Sequence, residues 1–318
     1  MSSTLSSSDR FRRRLTVDPP LLLDGPTGTE LQHRGVNTNV PGWTAAAVES
    51  AADVLLAIHR DYVAAGAELL TANTFRMHPR NVAEVLPPGL RTMAPIRAAE
   101  WTRSAVQLAR HAASDVTGDV WVAGSQAPLG DCYAAGQSLD DAALQQEHLV
   151  LSNQLALAGV DVILVETHPT LREALAASRA ALSTGLPVIT SLVCNPQGRL
   201  FSGESLAEAG IALGQLPLTA VGVNCILADA ALSAVETLRD VCSHLPICVY
   251  ANVGWMTSAG DWRNSTSTDP TRYAQHAARW LAAGARLIGS CCGTTPDHIR
   301  ELRRIIADNR SNPSLESV

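Results

Sequence analysis

Arg286-Leu287-Ile288-Gly289-Ser290-Cys291-Cys292-Gly293-Thr294-Thr295-Pro296 decides how this chain is read. Its first half is an apolar run of strand length, and a helix opens at Pro296. Two adjacent cysteines sit at the turn between them. A third cysteine, Cys225, ends a similar run, Val221-Gly222-Val223-Asn224-Cys225. Vicinal cysteines on a regular strand point to opposite faces. Both can reach one point only where the backbone bends, and Gly293 makes that bend easy. Two readings of the three thiols then stand side by side. Free cysteine is often a small buried hydrophobe. Three thiolates on one rim instead suit Zn²⁺ and leave one of its tetrahedral positions open, the mark of a catalytic rather than a structural site.

Outward from this stretch, short apolar runs alternate with amphipathic helical stretches. The runs cover 21–24, 68–71, 120–124, 162–166, 187–192, 220–225, 247–251 and 286–290. Helical patterns fill the intervals, and three of them end in Ala-Gly-Ala or Ala-Gly-Val, a glycine stop before the next strand. Alternating strands and helices imply a parallel sheet. Eight such units without a composition break predict a single-domain (β/α)₈ barrel over 19–307, with a doubly wound sheet as the second reading. Residues 1–18, rich in Ser and Arg, and 308–318, polar with a proline, are expected to be loose tails.

Composition narrows the function. The 318 residues are 46% hydrophobic, ample for a core, and the formal charge is −6. An acidic chain does not suit nucleic acid or an anionic membrane surface as partner. No apolar run approaches the roughly 18 residues that span a bilayer. Seven irregularly spaced cysteines do not make a disulfide framework in a chain of this length and suggest a reducing, cytoplasmic setting. Small molecules remain as partners, and a homo-oligomer stays open.

In a barrel of this kind chemistry gathers at the C-terminal ends of the strands. Those positions hold Asp24, Asn73, Gln126, Glu166, Cys194, Cys225, Asn252, Cys291 and Cys292. Some of these are expected to be ordinary loop residues. Glu166 directly follows Val162-Ile163-Leu164-Val165, so its carboxylate is sheltered and needs a cation or several donors; a solvated loop carboxylate is the plain alternative. Asp24-Gly25-Pro26-Thr27-Gly28-Thr29-Glu30 offers backbone N–H groups to a small anion but lacks the lysine and spacing of a phosphate loop.

Asp24-Gly25, Val223-Asn224-Cys225 and Gly289-Ser290-Cys291-Cys292-Gly293-Thr294-Thr295-Pro296 together resemble the homocysteine S-methyltransferase family. The likeness extends to Val40-Pro41-Gly42-Trp43-Thr44, Thr71-Ala72-Asn73-Thr74-Phe75, Val165-Glu166-Thr167 and Tyr250-Ala251-Asn252, and runs from about Leu21 to Ile306. It implies a (β/α)₈ barrel with zinc on Cys225, Cys291 and Cys292 and with homocysteine sulfur at the open position. It also implies that Glu166 takes the homocysteine ammonium group and that the Asp24-Gly25-Pro26-Thr27 loop holds the amino-acid end, with Asn73 and Asn252 among the substrate-binding residues. Betaine-dependent members carry a tyrosine after the strand-two phenylalanine and another after the strand-four glutamate. Here those positions are Arg76 and Thr167, so a small sulfonium donor, S-methylmethionine or S-adenosylmethionine, fits better than betaine. Trp43, Phe75, Arg76, Tyr133 and Trp255 are the expected donor-pocket residues. Arg76 is expected to meet a carboxylate, either the donor's or a protein acid. Cys194 is the sequence candidate for a fourth ligand, which would close the site and leave a non-catalytic zinc barrel. Methyl transfer from a separate corrinoid protein is a further alternative.

Overall fold

Along each long strand the side chains alternate between two apolar clusters, and this period of two builds the molecule. The computed structural model describes residues 5–135, 139–256 and 262–311. Eight parallel strands form one sheet: β1 (Leu21–Leu22), β2 (Leu69–Ala72), β3 (Trp121–Gln126), β4 (Val162–His168), β5 (Val188–Leu192), β6 (Ala220–Leu227), β7 (Ile247–Asn252) and, after a small hairpin of β8 (Gly254–Met256) and β9 (Trp262–Asn264), β10 (Ala285–Ser290). The sheet order is β1-β10-β7-β6-β5-β4-β3-β2, and a parallel bridge between Leu23 and Leu69 joins its two edges. The expected single-domain (β/α)₈ barrel is therefore the fold, with helices packed outside the strands.

Inward residues Leu21, Leu23, Leu69, Trp121, Ala123, Val162, Leu164, Ile189, Ala220, Cys248 and Leu287 fill the barrel itself. Their neighbours one position along, among them Leu22, Leu70, Val122, Ile163, Val165, Val188, Val221, Val249 and Ile288, face the helices. Continuing the same alternation upward brings Thr71, Ser125, Glu166, Ser191, Asn224 and Tyr250 to the inner face of the C-terminal end, all but half-buried Thr71 fully buried. The barrel interior is thus apolar below and polar above.

The N-terminal expectation is corrected. Ser7–Leu15, inside the segment read as a loose tail, is a helix with Phe11 and Leu15 buried. Its arginines mask an i,i+4 apolar pair that plugs the lower mouth of the barrel. Phe11 meets Trp121 edge-on at 5.7 Å, Ser6 caps the helix on the Asp9 amide, and Arg14 pairs with Glu68 at 2.8 Å. At the other end the last helix, Pro296–Ser311, runs into the stretch expected to be loose, held by an i,i+4 pair of Arg304 and Asp308 at 2.9 Å. Residues 1–4 and 312–318 lie outside the described residues.

Candidate active site

A cavity of about 680 Å³ opens at the polar end of the barrel. Asp24, Gly25, Thr27, Trp43, Asn73, Phe75, Arg76, Tyr133, Glu166, Cys225, Cys291 and Cys292 line it. Local backbone irregularities turn these side chains inward. Alternation alone would send Cys225 outward, since Asn224 before it faces in. A register shift in the β6–β7 pairing between Asn224 and Leu227 breaks the alternation there, and Cys225 takes a left-handed φ of 54°. Such bulges re-aim side chains at barrel rims. A matching shift lies between Val165 and His168 on β4, where Thr167 has φ 62°. Gly293, at φ 82°, supplies the bend after the cysteine pair. A side chain there would also meet Val253 Cγ2 at 2.7 Å.

These bends bring the three sulfur atoms within 4.8 Å of one another. Cys225 and Cys291 are 2.9 Å apart, Cys291 and Cys292 3.9 Å. The thiols hold their protons unequally. Contacts from Cys225 and Cys291 keep Cys292 well below the usual thiol range. Cys225 is pushed well above it, first by its contact with Cys291 and then by that with Cys292 and by burial. The donor set itself fits a metal: three soft sulfurs converge, and one already favours the thiolate that a metal requires. Among the described residues no other His, Cys, Asp or Glu joins this group. Cys194 does not belong to it. That thiol packs in the strand–helix core, where burial pushes it up to about 11.

Asn252 holds the two cysteine segments together. Its Nδ2 donates to the Cys225 carbonyl at 3.0 Å, and its Oδ1 accepts from the Cys292 amide at 2.9 Å. Each end of the amide meets the backbone of one cysteine segment and the residue is not among those lining the cavity, so its contacts here are positioning ones. Asn73 does line the cavity, while its Nδ2 anchors the Thr44 carbonyl at 2.9 Å.

Two buried carboxylates face the same space. Glu166 accepts hydrogen bonds from Ser125, from the Tyr250 hydroxyl at 3.0 Å and from Asn224 Nδ2 at 3.5 Å. Burial nevertheless pushes it up to about 7. Asp24 accepts from the Thr71 amide at 2.7 Å and the Thr71 hydroxyl at 2.9 Å. It too rises to about 7, mainly through burial, with the Glu166 charge contributing. Two desolvated acids, one of which feels the charge of the other, are poised for a cation.

Asn224 organises this region and was not among the expected site residues. Its Oδ1 accepts from the Thr167 amide at 3.0 Å and from Ser191 at 2.8 Å, and its Nδ2 donates to Thr167 Oγ1 at 2.7 Å. It fixes the strained Thr167 beside Glu166. Gln126, expected at the rim, faces outward instead and bonds Ser152 and His148 in the helix layer.

Of the aromatic residues expected in the donor pocket, Trp43, Phe75 and Tyr133 line the cavity. Trp43, at φ 53°, meets Phe75 edge-on at 5.7 Å. Tyr133 meets Phe201 edge-on at 6.2 Å. Trp262 joins the lining; Trp255 is exposed on the hairpin and does not. Arg76 stacks on Phe75 at 5.2 Å and donates to the Gly130 carbonyl at 2.7 Å. Among the described residues it pairs with no protein acid.

The family model for homocysteine S-methyltransferases matches residues 21–306. The chain belongs to the homocysteine S-methyltransferase family. Homocysteine S-methyltransferase of Escherichia coli K12 is 29% identical, the match covering 94% of this chain and 99% of that protein. Methionine synthase of Mycobacterium leprae is 28% identical across 89% of this chain and 24% of its own length. Among solved structures, the metallated form of the Escherichia coli homocysteine methyltransferase MmuM aligns with TM-score 0.79 at 27% identity, covering 93% of this chain and 99% of that one. The metallated relative and the three converging thiols both point to a metal in this family member. No helix among its described residues is long and apolar enough to cross a membrane.

Proposed function

We propose that this chain transfers a methyl group from a small sulfonium donor, S-methylmethionine or S-adenosylmethionine, to the thiol of homocysteine, with zinc held by Cys225, Cys291 and Cys292 in a cytoplasmic setting. The observation that carries this reading is the sharing of one cavity by three convergent thiols and two buried, cation-seeking carboxylates. A zinc ion held there would lower the pKa of an incoming thiol and fix its sulfur.

The chain's own residues do the rest. Glu166 meets the ammonium group of homocysteine, and its donors Ser125 and Tyr250 keep the carboxylate aimed. Asp24 adds negative charge to the same subsite, and the Gly25–Thr27 loop borders the amino-acid end. Asn73 fixes the loop that carries Trp43. Trp43 and Phe75 form the apolar wall on which a sulfonium methyl rests, since aromatic faces attract cations. The homocysteine sulfur gives an electron pair to the methyl carbon. The carbon–sulfonium bond breaks, its electron pair stays on the leaving thioether, and the thiol proton passes to solvent. With S-methylmethionine both products are methionine. A cation and an anionic thiolate become neutral, so exclusion of water by the aromatic wall favours the step.

The test is a donor panel with purified, zinc-loaded protein and homocysteine, read out as methionine formed. S-methylmethionine should be the best donor and S-adenosylmethionine a weaker one, with little transfer from betaine or methyltetrahydrofolate. Betaine as the best donor, or transfer only in the presence of a corrinoid protein, would overturn the assignment.

A further inference from the structure

Beside the main cavity lies a second pocket of about 450 Å³. Trp43, Arg76 and Asp131 line both, so the two spaces share a wall. The smaller pocket has its own chemistry. Arg76 and Arg80 bring guanidinium groups, Glu84 and Asp131 carboxylates, and Asn81 an amide. Burial falls from the amide outward: Asn81 is 8% exposed, the arginines are half-buried, and the two acids are exposed.

Most of these groups have spare capacity. Asn81 Oδ1 is buried with no hydrogen-bond partner, and a buried acceptor without a donor is costly. Arg76 makes one hydrogen bond among the described residues, to the Gly130 carbonyl. Glu84 makes no ion pair among them. Arg80 is different: Glu147 holds it through two bonds at 2.7 and 2.5 Å, so it shapes the wall rather than binding. The available set is therefore one cation, one buried amide oxygen and rim carboxylates. A zwitterion with adjacent carboxylate and ammonium groups complements that set; a simple anion leaves the amide oxygen and the acids unanswered.

We propose that this side pocket takes the α-amino-acid head of the methyl donor. Arg76 binds its carboxylate, Asn81 Oδ1 and Glu84 its ammonium group, and its sulfonium sulfur reaches past Trp43 into the main cavity. This rests on the sulfonium reading above and deepens it. It gives Arg76 a use that does not set its positive charge against the sulfonium, because the guanidinium answers the far end of the donor. It also separates the two amino-acid heads of the reaction, with homocysteine at Glu166 and Asp24 and the donor behind Trp43.

The test compares S-methylmethionine with 4-(dimethylsulfonio)butanoate, the same molecule without its amino group, at fixed homocysteine in zinc-loaded protein. Wild type should prefer S-methylmethionine. Asn81→Ala should raise its KM by about tenfold or more, the scale for losing a hydrogen bond to a charged group, and Glu84→Gln, at an exposed position, by roughly two- to fivefold. The KM of the des-amino donor and of homocysteine should not move. Glu84 is exposed, so its variant keeps the test valid where Asn81→Ala fails to fold. Calorimetric titration with S-methylmethionine should give the same order of affinities without turnover. Transfer from both donors with an unchanged preference in the variants overturns the side-pocket assignment alone. No transfer from either of these or from S-adenosylmethionine in wild type overturns the functional reading, and this inference with it.

Discussion

Replacing Glu166 by glutamine removes one charge from a buried site and leaves its shape nearly intact. Burial raises this carboxyl from 4.5 to about 7 although three groups donate to it. At about 1.4 kcal/mol per pKa unit, holding the charge in the free protein costs roughly 3 kcal/mol. An ammonium group beside it offsets that cost. Losing one partner of such a buried pair removes about 2–4 kcal/mol, or about 30- to 900-fold in kcat/KM for homocysteine. The loss should fall on KM, with metal content unchanged. The pH profile carries a second signature. Below about 7 the carboxyl is protonated and must shed that proton to meet the ammonium, so wild-type kcat/KM should fall about tenfold per pH unit on the acid side. Asp24 also titrates at about 7 and feels the Glu166 charge, so the acid limb belongs to the pair. In Glu166→Gln the limb left by Asp24 should move to lower pH, because the Glu166 charge that raises it is gone. Stability should change in the opposite sense to activity. A carboxyl whose folded pKa lies above its unfolded value contributes stability below about 4.5, and that contribution is lost as pH rises through about 7. The glutamine variant escapes the loss and should melt higher than wild type at pH 8. Steady-state kinetics from pH 5.5 to 8.5 with thermal melts decide the matter. An unchanged kcat/KM together with an unchanged acid limb would refute the role given to Glu166.

Cys225→Ser, Cys291→Ser and Cys292→Ser should each lose most bound metal yet keep the folded circular dichroism spectrum, whereas Cys194→Ser should keep the metal; stoichiometric metal in the Cys291→Ser/Cys292→Ser double variant would undo the site. Asn252→Ala should lower metal affinity about 10- to 100-fold, the usual cost of losing a group that orients ligands, and equal affinity in a chelator competition would show that the clip is dispensable. Asn224→Leu strands the Thr167 amide and the Ser191 hydroxyl, each worth about 1–3 kcal/mol when left unpaired in the interior, so the melting temperature should drop and the homocysteine KM should rise together; a lower melting temperature with normal KM would make Asn224 purely structural. Phe11→Ala should destabilise by about 3–5 kcal/mol with kcat/KM at 25 °C unchanged, and a melt identical to wild type would show that the N-terminal helix does not plug the barrel.

The barrel was legible because eight apolar runs of strand length alternate with helical patterns along the chain. Val162 to Glu166 places the carboxylate inward with no further information, and the cysteine pair before Gly293 announced its bend. Side-chain alternation, carried up Trp121-Val122-Ala123-Gly124-Ser125 and Val221-Gly222-Val223-Asn224, would have found Ser125 and Asn224 and turned Gln126 outward. Cys225 is a different case. Alternation sends it to the helix layer, and only the bulge and its left-handed backbone return it to the cavity. Nothing in a six-residue run signals a bulge that has no glycine. Asn252 was read as a ligand-binding residue because strand ends favour function, and its bonds to two backbone groups that only the folded chain brings together were not legible. The Ser7–Leu15 helix escaped because four arginines and a short apolar pair carry a weak helical pattern, and its stability comes from docking on Trp121.

The strain in this molecule is gathered where the chemistry is. The described non-glycine residues with a left-handed backbone are Trp43, Thr167 and Cys225, and all three line the cavity. Each such conformation costs on the order of 1–3 kcal/mol and persists only where its surroundings hold it. The surroundings here are specific: Asn224 holds Thr167, and Asn252 holds the Cys225 carbonyl. Trp43 is held by contact, since a side chain on Gly28 would come within 2.1 Å of its ring. The apolar lower half of the same barrel, sealed by Phe11, supplies the stability that tolerates the strained upper half. It also supplies the dry floor that lifts Glu166 and Asp24 toward neutral pH. Filling the upper interior with apolar residues would thus stabilise the barrel while removing the charge and the bent backbone that define the cavity, the usual opposition between stability and function at a built site.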